Sequence, residues 1–249
     1  MIRYFDENGI IEPTQVERLP EGITADTAIT AFSNFLFDEL TGKYGAKQVC
    51  TITGGIDRPV YAIERDGKHV LVYKSPVGAP AAAMTMEEVG MLGVENFVAF
   101  GICGALTDTP FRTLVVPDRA FRDEGTSYHY LPPADFIELK NARTVRARLD
   151  EMGINSVVGG TWCTDGFYRE TRTRAEQVKA QGCIAVDMES AALQAVCDYR
   201  GKSFYTFFIT ADSLAGEKWE SNDLLKLSVT STDKVAVAAA VELAFKLNR

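Results

Sequence analysis

Apolar positions along the chain follow two rhythms: short unbroken runs, and longer stretches with an apolar residue every third or fourth position. TAITAF (27–32), NFVAFGICGAL (96–106), TLVVPDRAF (113–121), NSVVGGTWC (155–163), CIAVD (183–187) and KSFYTFFITAD (202–212) predict strands, most of them buried. VYAIERDGKHVLVYKS (60–75) alternates on both sides of Asp66-Gly67 and predicts a hairpin. Between the runs, SNFLFDELTGKYG (33–45) predicts a helix capped by Ser33 or Asn34 and stopped by glycine. APAAAMTMEEVGMLGV (79–94) predicts a helix with a small-residue packing face, and the alanine-rich stretch after CIAVD predicts another. PADFIELKNARTVRARLDEMG (133–153) predicts one amphipathic helix with Phe136, Leu139, Val145 and Leu149 inward, and STDKVAVAAAVELAFKLN (231–248) a closing helix. Strands alternating with helices predict an α/β fold, a twisted and largely mixed β-sheet flanked by helices. Without repeats, low-complexity tracts or Pro/Gly/Ser-rich linkers, residues 1–249 are expected to form a single domain.

Composition narrows the partners more than the fold. With 46% hydrophobic and 24% charged residues, the chain has ordinary globular composition, and 249 residues suffice for a sizeable core. A net charge of -8 argues against a nucleic-acid backbone or an anionic membrane as partner. A local pocket can still oppose that charge and hold a small anion. The start, MIRYFDENGIIEP, has no apolar core of signal-peptide type, and no apolar run approaches the ~20 residues that span a bilayer. The five cysteines, Cys50, Cys103, Cys163, Cys183 and Cys197, are widely spaced with no C-x-x-C pair, and only His69 and His129 accompany them. A Cys/His metal cage is therefore not expected, and reduced thiols in a cytoplasmic protein are.

Three strand ends carry candidate chemistry. Gly101-Ile102-Cys103-Gly104 can bring backbone N–H groups close to an anion, or simply make a tight turn. Asp187 and Glu189 flank Met188 where an apolar strand enters an apolar helix; on a regular strand they share one face, and as helix-start acids they would answer the macrodipole. Asp212 ends a run of phenylalanines, as an acid in a crevice or as an N-cap. Ligands of open α/β sheets sit at carboxyl ends of strands, so three such ends predict one crevice.

VAFGICGAL, GTSYHYLPP, TDGFYRET, VDMESAALQAV and ITADSLA, in this order and spacing, resemble the nucleoside phosphorylase/nucleosidase family of the purine nucleoside and uridine phosphorylase type. The resemblance runs from about residue 70 to the C-terminus. It implies a three-layer phosphorylase-like fold and cleavage of an N-glycosidic bond, with inorganic phosphate as co-substrate and no metal or organic cofactor. It also implies a homodimer or homohexamer. Glu189 would accept from the ribose 2′ and 3′ hydroxyls, Met188 would pack on the sugar, and Asp187 would stand beside them. Phe167 would stack on the base, with Tyr168, Arg169 or Arg172 near its edge. Asp212 matches the general acid of purine-specific members, which delivers a proton to N7 of the leaving base.

The chain departs from that family around the phosphate. AFSN (31–34) replaces a GDP-type loop carrying an arginine, and Ala99 and Ile102 stand where an arginine and a hydroxyl residue are usual. Phosphate would be left to Gly101, Ile102 and Cys103, to Ser75, to Arg58 from a neighbouring subunit, and to Lys47 or Lys74. Water as nucleophile, in a nucleosidase, is the alternative; a non-catalytic nucleoside-binding or storage relative is a second.

Overall fold

The computed structural model describes residues 4–7, 9–13, 18–53, 56–222 and 229–248, so the N-terminal stretch is only partly within it. The first half runs β1 (Thr27–Ala31), α1 (Asn34–Lys43), β2 (Lys47–Ile52), β3 (Arg58–Arg65), β4 (Lys68–Lys74), α2 (Ala79–Gly90) and β5 (Asn96–Ala105). The second runs β6 (Leu114–Asp123), α3 (Ser127–Tyr130), β7 (Phe136–Glu138), α4 (Ala142–Glu151), β8 (Ser156–Thr164), α5 (Arg172–Ala180), β9 (Cys183–Asp187), α6 (Ser190–Arg200), β10 (Ser203–Ser213) and α7 (Ser231–Leu247). These strands form one mixed sheet, ordered β10-β6-β8-β9-β5-β1-β4-β3-β2, with β7 added to β6.

The unbroken apolar runs become the strands covered on both faces. Ala28, Leu71, Phe97 and Phe204 pack with Ala82, Met86 and Val89 of α2 and Leu193 and Val196 of α6. Their neighbours Ile29, Val72, Val98 and Phe207 point the other way, onto Leu36 of α1, Val145 of α4 and Val237 of α7. That alternation makes the three layers. The β3–β4 hairpin turns at Asp66 (φ 54°) and Gly67 (φ 75°), the paired positive angles of a tight two-residue turn.

One expected helix is divided. Phe136–Glu138 pairs antiparallel with β6, Phe136 opposite Phe121, and the helix begins only at Ala142. Phe136 and Leu139 have helical spacing, but β6 runs to Asp123 and offers an edge, while the two rings meet edge-on at 5.2 Å. Val145 and Leu149 are buried as expected. Ser33 does occupy the N-cap of α1, yet its hydroxyl makes no capping bond.

Two features of the sheet prepare a site. β10 pairs with both β5 and β6, so β5, β10, β6, β8 and β9 close into a ring. On its other edge β5 meets β1 through Phe100 and β9 only at Gly104 and Ala105. Among the described residues, Gly101-Ile102-Cys103 therefore have no strand partner on that edge.

Candidate active site

A cavity of about 470 Å³ opens at this gap, lined by the ends of β5, β9 and β10, the start of α1 and the turn after β8. Of the residues expected at a site, it gathers Gly101, Ile102, Cys103, Phe167, Asp187, Met188, Glu189 and Asp212. Phe32, Ser33, Val77, Gly104, Glu170, Val186 and Phe208 complete the lining.

Asp187 ends β9 with both carboxylate oxygens committed. Oδ2 accepts from the backbone N–H groups of Glu189 (2.9 Å) and Ser190 (2.7 Å), and Oδ1 from the hydroxyls of Ser190 (2.8 Å) and Thr161 (2.9 Å). These four bonds hold the start of α6 and the backbone of Glu189 in place, with Asp187 itself in the cavity lining. Burial pushes its pKa up, and the four donors oppose that. Glu189 next to it is the group with acceptor capacity to offer. Its Oε1 takes the N–H of Gly78 at 2.6 Å, where the backbone turns at φ 100° ahead of α2. Burial, and then the Asp187 charge, push the Glu189 carboxyl up to about 8. Ser33 ahead of α1 lines the cavity. The backbone N–H groups of Gly78 ahead of α2, and of Glu189 and Ser190 at the start of α6, donate to these acids, which opposes but does not cancel the effect of burial.

On the opposite wall, Asp212 owes its position to a bulge. Thr210 pairs with Cys103 and Asp212 with Gly104, leaving Ala211 as the extra residue. Gly104 is the space the carboxyl needs, since a Cβ there would lie 3.3 Å from Asp212 Oδ1 and 2.8 Å from Val186 Cγ1. Trp219 donates its indole N–H to Oδ2 at 2.7 Å. Burial raises the Asp212 pKa, and the indole bond partly offsets the rise. The Cys103 thiol is pushed up by burial and by Asp187 and Asp212, so it stays protonated.

Glu170 is the acid that the sequence reading missed. Phe167–Arg169 forms a 3₁₀ turn, in which residues three apart eclipse, so Glu170 returns to the cavity beside Phe167. The two residues between them turn outward: Tyr168 is 92% exposed, and neither it nor Arg169 lines the cavity. Arg172 is also elsewhere, donating to the Leu214 carbonyl at 2.6 Å.

The expected anion ligands are divided in the same way. Ser75 extends the β1 ladder through a 3.1 Å bond to Ala31, and its hydroxyl donates to the Pro76 carbonyl. Arg58 pairs with Glu88 of α2 at 3.7 Å, and Lys74 donates to Asn34 Oδ1 at 2.5 Å. Among the described residues, no lysine or arginine lines the cavity. What faces the open edge of β5 is the start of α1, where the Ser33 hydroxyl is buried and, among the described residues, has no hydrogen-bond partner.

Proteins named purine nucleoside phosphorylase DeoD-type from Bacillus thuringiensis (strain Al Hakam), Bacillus mycoides (strain KBAB4) and Bacillus cereus are each 24% identical over 181 residues, covering 71% of this chain and 77% of theirs. The family model described as the phosphorylase superfamily matches residues 23–246, a span that takes in every strand and the whole cavity lining. The chain belongs to the phosphorylase superfamily.

Proposed function

We propose that this chain is a nucleoside phosphorylase acting on purine nucleosides. One observation carries the reading: Glu189 and Asp212, acids suited to the sugar and to the leaving base, share one cavity with Phe167 and Met188. Once it releases the proton that burial holds on it in the empty cavity, Glu189 accepts from the 2′ and 3′ hydroxyls, two charge-assisted bonds on one carboxylate. Met188 packs on the sugar and Phe167 stacks on the base. As the C1′–N9 bond breaks, its electron pair moves into the base and the ribose becomes oxocarbenium-like. The Asp212 proton goes to N7 and neutralises the leaving group. A phosphate oxygen then bonds to C1′, giving free base and ribose 1-phosphate. The names of the relatives support phosphate as nucleophile. So do the start of α1, the unpartnered Ser33 hydroxyl and the open edge of β5, which offer an anion donors without arginines.

A second reading, hydrolysis, is favoured by charge. The cavity holds Asp187, Glu189, Asp212 and Glu170 and no cationic side chain among the described residues. Water needs no counter-charge; a phosphate dianion does. Assays of inosine and adenosine cleavage, with and without inorganic phosphate, separate the two. Phosphorolysis requires phosphate, yields ribose 1-phosphate, and shows a raised phosphate KM in Ser33→Ala with nucleoside KM little changed. Phosphate-independent release of free ribose would overturn it in favour of the nucleosidase.

A further inference from the structure

Besides Asp187 and Glu189, two carboxyls line the cavity together with Phe167, and the proposed reaction uses only one of them, Asp212. Glu170 is half-buried beside Phe167, and no hydrogen bond or ion pair to its carboxyl occurs among the described residues. It is close enough to Asp212 to feel its charge. A purine offers two polar positions on the edge that contains N7: N7 itself, always an acceptor, and the exocyclic group at C6. The latter is a donor in 6-aminopurines and an acceptor in 6-oxopurines. We propose that Asp212 and Glu170 together read this edge, with Glu170 facing the 6-substituent, and that the pair, carrying one proton, selects 6-aminopurines. This rests on the purine reading of the site above.

The logic is complementarity of donors and acceptors. A protonated Asp212 and an ionised Glu170 present one donor and one acceptor, the match for N7 plus an amino group. A 6-oxopurine presents two acceptors and needs both carboxyls protonated. Two neighbouring carboxyls resist double ionisation, which keeps one proton on the pair. Burial and then the Asp212 charge raise Glu170 to about 7, so the empty pair keeps one proton up to near neutrality; a 6-aminopurine binds with that proton moved onto Asp212, whereas a 6-oxopurine must take up a second. The groups around it are acidic or neutral: Asp212 from β10, Asp187 and Glu189 from the β9–α6 junction, and the Cys103 thiol from β5. The nearby arginines on its own segment do not line the cavity, and Arg172 is turned to the Leu214 carbonyl and to Glu176.

Binding of the free bases adenine and hypoxanthine, measured by calorimetry at pH 6 and pH 8, tests this without any need for turnover. The adenine-to-hypoxanthine affinity ratio should rise roughly tenfold between the two pH values, the scale of one charge-assisted hydrogen bond. In Glu170→Gln, whose amide can turn either way, the ratio should fall and lose its pH dependence. A pH-independent ratio in the wild type, an unchanged ratio in Glu170→Gln, or failure of both bases to bind would each overturn the proposal. If the ratio behaves as expected while no nucleoside is cleaved, the base reader stands and the catalytic reading falls.

Discussion

Replacing Glu189 by glutamine should change how stability depends on pH, by an amount the structure sets. Folding moves this carboxyl from an ordinary pKa of 4.5 to about 8. Between those values the folded chain holds a proton that the unfolded chain has released, so stability contributed by protonated Glu189 is complete below 4.5 and declines as pH rises to about 8. At about 1.4 kcal/mol per pH unit, the loss is about 4–5 kcal/mol by pH 9. Glutamine keeps the acceptor for the Gly78 N–H but cannot ionise. Glu170 titrates in the same range, yet it is present in both proteins and cancels in their difference. Urea unfolding of wild type and Glu189→Gln from pH 4 to pH 9 should therefore give curves that diverge, the variant gaining several kcal/mol relative to wild type at the alkaline end. Profiles that stay parallel within about 0.5 kcal/mol, the usual limit of additivity, would refute both the burial argument and the assignment of the proton to Glu189.

Asp212→Asn should lower turnover of inosine or adenosine by ~10²-fold or more, and much less for nucleosides with activated leaving groups; equal losses on both would remove the acid role. Gly104→Ala places a Cβ 2.8 Å from Val186 Cγ1 and 2.9 Å from Leu214 Cδ1. Thermal or urea unfolding should show a loss of about 1–3 kcal/mol together with reduced kcat, and wild-type stability and rate would contradict the tight packing around Asp212. Trp219→Phe takes away the indole donor that holds the Asp212 pKa down. The alkaline limb of the pH–rate profile should then move to higher pH, and a shift to lower pH would mean that the indole bond does not act on the acid.

Much of this molecule was legible in sequence because burial on two faces writes unbroken apolar runs, as in FYTFFITAD and NFVAFGICGA. The Asp66-Gly67 turn was equally plain. β7 was not, because three residues cannot display a period of two clearly enough to outweigh helical spacing across Phe136 and Leu139. β2, KQVCTI, lies at the end of the sheet order, and its burial is too partial to write an apolar run. At the site, Asp212 and Glu189 stood out as acids inside apolar segments. Glu170 did not, since RETR reads as a solvated charge run; its only signal was lying three residues after Phe167, which matters only once the turn is known to be 3₁₀. Asp187 was legible as an acid but not as one whose oxygens are already taken, which depends on Thr161 from β8, 26 positions away in the chain.

The gap beside β5 has a consequence for how such a protein can change over generations. Groups that belong to the main chain are encoded by no particular codon, so substitutions at Ile102 or Cys103 alter the shape and polarity of the wall but leave the peptide groups along that open edge in place. Only proline deletes an N–H outright, and at Gly101 a side chain would press on the Phe32 ring at 3.0 Å. A lineage can thus exchange the side chains that decide which molecule enters, one at a time, while the peptide edge beneath them is inherited nearly intact.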